Sequence, residues 1–242
     1  MNKVREVIRF HRKICSRSTR YLAPFILLLV LLYNMYYAIP VQLVSSFSVS
    51  AFAVFVLMSW IGYTYANDED EVTTQILMLR VNNDRLYYLA DVLLQFMISV
   101  LISIITVGFP LVQNMLHGFG MYKRPVTLLD VVAAFLLTLA AAFLGACTGM
   151  LFSHRIFRDA KLNMALAVLF VTLAIAKSGV VKLFPASRYL LWILPPVSDT
   201  IVMNTQSDYY TPILVVSGVF IMLVYSIVLA ILRAWLLSRR RF

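Results

Sequence analysis

Charge is what this sequence has least of. Of 242 residues, 13% are Asp, Glu, Lys or Arg and 62% are apolar. A soluble domain carries about 25% charged and about 45–50% apolar residues. The apolar surplus cannot be buried in one compact soluble domain. That excludes an ordinary cytosolic enzyme, a disordered chain and a fibrous repeat. Cysteine is scarce too. Cys15 lies in a polar leader and Cys147 inside an apolar run; they have no metal-ligand spacing, and no disulfide is expected. His11, His117 and His154 are never paired at i, i+4, so a His-Glu-x-x-His zinc site is missing. There is no Gly-x-Ser-x-Gly elbow. Nor is there a Gly-x-x-x-x-Gly-Lys-[Ser/Thr] phosphate cradle: Gly118-Phe119-Gly120 ahead of Lys123-Arg124 has the wrong spacing. The chain is expected to bind no metal or cofactor and to have no enzyme site of its own.

What is present is a series of long uncharged runs. A helix crossing the hydrocarbon core needs about 20 mostly apolar residues. The run from Tyr21 to Asn67 has 47 residues without a charge, too many for one crossing. Pro40, Gln42, Ser45 and Ser46 break it near the middle. The expected spans are Tyr21–Ile39, Phe47–Ala66, Val92–Leu116, Val131–Ser153, Leu162–Ala176 and Thr211–Leu232. The fifth is short, so it crosses only if Lys177 snorkels or the helix continues towards Phe184. The fold class expected is an all-α polytopic membrane protein with six transmembrane helices in a single transmembrane domain. The first run follows a twenty-residue leader rich in Lys and Arg and is long enough to stay as a span, so a cleavable signal peptide is not expected.

Orientation follows from Lys and Arg. With the N-terminus inside, the non-cytoplasmic segments hold only Lys123, Arg124, Lys177, Lys182 and Arg188 of the 21 cations. The positive-inside rule then places both termini in the cytoplasm of a multi-pass protein of the cell membrane. Seven cations fall in the first twenty residues and Arg239-Arg240-Arg241 close the chain. The net charge of +10 therefore reads as topogenic charge facing anionic lipid rather than as a nucleic-acid surface. Residues 1–20 are either an amphipathic interfacial helix, with Val4, Val7, Ile8 and Ile14 on one face, or a plain basic flank.

The most informative polar segment separates the second and third spans. Residues 67–91 read NDEDEVTTQILMLRVNNDRLYYLAD. Four acids, Asp68 to Glu71, meet the exit of the second span; Thr73 or Thr74 can cap a short helix; Ile76, Leu77, Leu79 and Val81 supply apolar surface. Asn82-Asn83 suits a turn, and Arg85 with Tyr87-Tyr88 suits the interface. Such a short helix needs a cover for its apolar residues.

This layout resembles the first cytoplasmic loop of ABC-2 type exporter permeases, the membrane-spanning subunits of ATP-binding-cassette exporters. An amphipathic N-terminal segment, six spans and a long last external segment, 177–210, with Phe184-Pro185 and Leu194-Pro195-Pro196, resemble the same family. The resemblance implies that residues 67–91 carry a coupling helix docking on a separate ATPase. By that likeness Glu71, Thr74, Gln75, Leu77, Leu79 and Arg80 contact it, and His154–Lys161 adds contacts. It further implies two copies of the ATPase, which hold ATP and magnesium, and a second permease chain, the same or related. Re-entrant helices are implied within 187–203. The cargo is implied to be hydrophobic or amphipathic: a peptide, as in exporters of phenol-soluble modulins or bacteriocins, a drug or a lipid. Two other classes fit the same residues: a membrane anchor or regulator that recruits a cytoplasmic partner, and an ion-driven secondary transporter.

Smaller features carry blander expectations. Gly145 and Gly149, with Ala141 a turn earlier, form a small-residue ridge expected to pack within the subunit, with a dimer interface as the alternative. Asp91 and Asp130 are expected as interfacial polar ends of spans, and Lys177 as a snorkelling charge in preference to one facing an outer cavity. Trp60, Trp192, Trp235, Tyr33, Tyr36 and Tyr37 read as interfacial aromatics. The topology makes a testable statement. Cysteines at Gln42 and Thr205 should be labelled by an impermeant thiol reagent from outside, and one at Gln75 only from inside. Labelling of Gln75→Cys in intact cells overturns the orientation.

Overall fold

The structure is a computed structural model describing residues 9, 19–37, 39–68, 84–157, 159–205 and 207–239. It is helical throughout, and among the described residues the sole bridge of β type is an isolated parallel one between Val41 and Tyr122. A 3-10 turn, Thr19–Tyr21, leads into α1 (Leu22–Met35). Then come α2 (Leu43–Asp68), α3 (Asp84–Leu116) and α4 (Leu128–Leu151). After α5 (Ala160–Leu183) and a second 3-10 turn (Pro185–Ser187) follow the short helices α6 (Arg188–Leu191) and α7 (Val197–Asn204), and last α8 (Pro212–Arg239).

Five of these helices, α2, α3, α4, α5 and α8, are long and apolar enough to cross a membrane. The expected first span is shorter than it read. Its helix covers Thr19–Met35, about 26 Å at 1.5 Å per residue, and stops at Tyr36 rather than Ile39. For the fifth span the second alternative holds: α5 has 24 residues and runs past Lys177 to Leu183, with Phe184 as its C-cap. Lys177 lies within this helix and is paired inside the fold, as described below.

The helices alternate in direction. Arg20 pairs with Asp68, and Arg233 with Asp91, so the start of α1, the end of α2, the start of α3 and the end of α8 share one end of the bundle. At the opposite end Val41 meets Tyr122, and Gln42 reaches Asp208. These are called the Asp91 end and the Arg124 end below.

The core is the crossing of α2 and α4, the most extensively packed helix pair. Every residue of α4 from Ala140 to Met150 is buried. The reason is backbone proximity. A Cβ added at Gly145 would lie 2.3 Å from the Phe55 carbonyl oxygen, and one at Gly149 would lie 2.0 Å from that of Ser59. The contact is reciprocal: a Cβ at Gly62 of α2 would lie 2.3 Å from the Ala146 carbonyl oxygen. Hydrogen is the only substituent these three positions accept. The expected small-residue ridge thus packs inside the subunit, and Gly62 is its partner on the facing helix. Small residues drive this close approach because lipid offers no hydrophobic force between helices.

The peripheral helices bury only narrow stripes. On α8 these are Val215, Met222, Ser226, Leu229, Arg233 and Leu237; on α5 they are Asn163, Ala167, Ala174 and Lys177. Their other faces are exposed and apolar, with Leu162, Met164, Val168 and Leu169 on α5 and Ile227, Val228 and Ile231 on α8.

Gly145→Val or Gly149→Val should therefore destabilise the fold by at least about 1–3 kcal/mol, the usual cost of overpacking. Gly179→Ala, where an added Cβ meets nothing within 4 Å, should keep stability or raise it by up to about 1 kcal/mol, because Ala is the better helix former. Thermal unfolding in detergent measures both, and an unchanged midpoint for Gly149→Val overturns the packing argument.

Candidate functional site

The residues expected to contact an ATPase, Glu71, Thr74, Gln75, Leu77, Leu79 and Arg80, lie outside the described residues, as does the expected N-terminal amphipathic segment apart from its last residues and Arg9. What is described is the pair of stems, α2 ending at Asp68 and α3 starting at Asp84, and the framework that holds them.

Asn67 is the fastener on the first stem. Its amide nitrogen donates to the carbonyls of Tyr63 at 2.8 Å and Phe152 at 2.9 Å, and its amide oxygen accepts from the His154 backbone N–H at 2.8 Å. Asn163 of α5 donates to the same Phe152 carbonyl at 3.3 Å. Phe152 also stacks on Phe157 and leans on Phe170. The second loop of this end, 154–159, is thereby tied to the root of the first. On the other side the Arg20 guanidinium reaches the Asp68 carboxylate; Arg20 is mostly exposed, so this pair adds little stability on its own.

The second stem is held from inside. Asp91, one turn into the apolar part of α3, is fully buried. Its Oδ1 accepts from the Tyr65 hydroxyl at 2.8 Å, and its Oδ2 faces Arg233 Nη1 at 3.3 Å. This corrects the expectation of an interfacial polar end. An ionised carboxylate cannot sit in an apolar interior without a counter-charge and hydrogen bonds, and here α8 supplies the first while α2 supplies a hydroxyl. Arg233 had read as a topogenic charge; nothing in the local sequence links it to Asp91, 142 positions away.

The Arg124 end is closed by a second cationic hub. Arg124 makes two parallel 2.7 Å bonds to the Asp130 carboxylate, donates from Nε to the Asp208 carbonyl at 3.0 Å, and lies 4.3 Å from the Tyr209 ring centre. Asp130 also completes the capping box of α4 with Thr127. It is buried, and so is more than a polar span end. Bonding to the Asp130 carboxylate raises the Arg124 pKa further above its ordinary value, so the hub stays charged. Gln42 Nε2 donates to Asp208 Oδ1 at 2.7 Å. Arg124 thus joins two connecting segments directly, and Asp208 links the third through Gln42. Beneath it Tyr36, Tyr122 and Tyr210 are buried, and burial pushes each phenol pKa up. Tyr36 bonds Ser50 at 3.2 Å, unlike the exposed Tyr33 and Tyr37 that fit an interfacial belt.

Lys177 neither snorkels nor faces open solvent. It is 7% exposed and pairs with Asp199 of α7 at 3.0 Å. Helix α7 is itself wedged against α2, α5 and α8, with Val197, Ser198, Ile201 and Asn204 buried. Thr200 approaches Gly218, seven residues into α8, where a Cβ would meet it at 3.4 Å.

Each buried carboxylate in these clusters faces an arginine, so the arrangement suits holding helix ends rather than acid–base work. Among the described residues no group of three or more His, Cys, Asp or Glu gathers, and Cys147 is a buried free thiol. Comparison with protein-family models, with curated proteins and with solved structures finds no match.

The buried pair has a measurable signature. Asp91→Leu should destabilise the protein by about 3–5 kcal/mol, because it removes the carboxylate that faces the buried Arg233 charge. Adding Arg233→Met should restore most of that loss. Unfolding midpoints of the single and double variants decide it, and strict additivity overturns the pairing.

Proposed function

We propose that this chain is the permease subunit of an ABC exporter for a hydrophobic or amphipathic cargo. Two permease copies flank the route, and separate ATPase subunits dock on the segment between α2 and α3. The observation that carries this reading is how the two stems of that segment are fixed. Asp68 is tied to the start of α1, Asn67 to the loop after α4, and Asp91 to α8. A push on residues 69–83 therefore reaches five helices through short polar bonds instead of dissipating in a hinge. That is what a coupling element needs: ATP-driven closure of the ATPases moves the loop, and the bundle follows by rigid-body rotation. The absence of a phosphate cradle in the sequence leaves hydrolysis to another polypeptide.

In this reading Thr19–Met35 is the sixth crossing, both termini are cytoplasmic, and α7 is a helix dipping back from the outer face. An even count fits the position of Arg20 and Arg233 at one end of the bundle. Glu71, Thr74, Gln75, Leu77, Leu79 and Arg80 are the proposed ATPase contacts. A membrane anchor that recruits a partner would use the same segment, but it would not need cargo to stimulate ATP hydrolysis.

The double substitution Leu77→Asp with Leu79→Asp should abolish co-purification of an ATPase while the permease still inserts. Retained co-purification overturns the docking assignment. Transport that follows an ion gradient in place of ATP transfers the chain to the secondary transporters.

A further inference from the structure

The Arg124 end of the bundle has more cations than it can neutralise. Its acids are Asp130, Asp199 and Asp208. Each is already engaged: Asp130 by Arg124, Asp199 by Lys177, and the Asp208 carboxylate by the Gln42 amide. Lys123, Lys182 and Arg188 at this end are exposed and form no ion pair among the described residues. Two of the three stand close together in the chain. Lys182 lies in the last turn of α5 and Arg188 starts α6, either side of the turn Pro185–Ser187. From Ala160 to Ser198 there is no acid, so no local counter-charge exists.

The same stretch is the most exposed apolar surface of this end. Leu183, Phe184, Tyr189, Trp192 and Ile193 are between 68% and 90% exposed, whereas Leu194 to Ser198 are all buried. The stretch is nevertheless pinned at both feet. Lys177 Nζ donates to the Leu194 carbonyl at 3.5 Å, the Ser178 N–H donates to Ser198 Oγ at 3.2 Å, and the Tyr225 hydroxyl donates to the Trp192 carbonyl. Tyr225 lies 13 positions into α8, about 20 Å along that helix. The arm from Arg188 to Trp192 therefore descends from a basic turn along the membrane-crossing part of α8, with its aromatic side chains facing away from the protein.

We propose that residues 182–193 bind an anionic phospholipid in the leaflet at the Arg124 end, its phosphate held by Lys182 and Arg188 and its hydrocarbon lying along Phe184, Tyr189 and Trp192. The missing counter-charge must come from outside the chain, and it must come attached to apolar matter, because the cations stand beside exposed aromatics. A lipid of net negative charge meets both demands. Guanidinium and ammonium groups are phosphate partners, and Tyr and Trp favour the headgroup level. A second copy meets the charge demand poorly: an isologous contact brings the same acid-free patch against itself. The inference goes beyond the transporter reading and needs no ATPase, so its failure leaves the docking assignment untouched.

The test is Trp192 fluorescence in the full chain carrying Trp60→Phe and Trp235→Phe, reconstituted in phosphatidylcholine vesicles with a minority of brominated phosphatidylglycerol or brominated phosphatidylcholine. Brominated phosphatidylglycerol should quench as if enriched roughly fivefold or more over its share of the vesicle, the worth of one cation near an anionic surface. Brominated phosphatidylcholine should quench in proportion to its share. Lys182→Gln with Arg188→Gln should bring the two lipids together, and Lys123→Gln should leave them apart. Replacing chloride by inorganic phosphate at equal ionic strength should change neither. Equal quenching by both lipids in the parent chain, or a preference that survives the double substitution, overturns the phosphate site. An equal loss in Lys123→Gln reduces the preference to general charge and overturns it too. A preference abolished by inorganic phosphate means that the cations take the free ion, which overturns the lipid assignment. Weak quenching by both lipids, together with disulfide-linked dimers of Tyr189→Cys in a chain otherwise free of cysteine, means that a second copy covers the arm and likewise overturns it.

Discussion

Everything in this fold is referred to one contact, the meeting of α2 and α4 at backbone distance. Three glycines, each facing a carbonyl of the other helix, remove the side-chain layer that ordinarily separates two helices. The interaxial distance, and with it the register of both helices, is then set by peptide groups, which cannot repack. Side-chain interfaces tolerate adjustment; this one does not. The polar attachments at both ends of the bundle inherit that precision. Asn67 reaches the Phe152 carbonyl, and Tyr65 reaches Asp91, because the end of α2 has one position relative to α4.

Around this fixed pair the molecule is graded. Helix α3 is pinned by a buried ion pair at one end and, through the loop that follows it, by the Arg124 hub at the other. Helix α8 packs on α4 more extensively than α3 does, while α5 is the most lightly seated of the long helices. The two hubs differ in kind. The Arg124 hub gathers connecting segments, whereas the Asp91 hub gathers helices. A rearrangement that opens one can leave the other intact.

The sequence disclosed these features unequally. The crossing helices were legible because the signal for each, a run of uncharged residues, is local. The Gly145–Gly149 ridge was legible for the same reason. Gly62 was not, because a single glycine acquires meaning only from the helix that faces it. Spacing could not pair Asp91 with Arg233 or Lys177 with Asp199, since the partners lie on different elements. The charge at Lys177 shortened the expected fifth span. Hydropathy counts a lysine as a cost, and the structure cancels that cost with Asp199. The buried polar residues of α3, Gln95, Ser99, Ser103 and Thr106, drew no expectation from the sequence, because which face of that helix meets the bundle is set by packing.

The Lys177–Asp199 pair also dictates an order of events during synthesis. Lys177 leaves the ribosome 22 residues before Asp199. Helix α5 must therefore enter the membrane with its lysine uncompensated, extended towards the headgroups. It can settle at its final depth only after α7 has been made and folded back against it. The nascent chain thus passes through a stage with the four preceding helices placed and α5 displaced, and the segment carrying Asp199 is the clasp that fixes its depth.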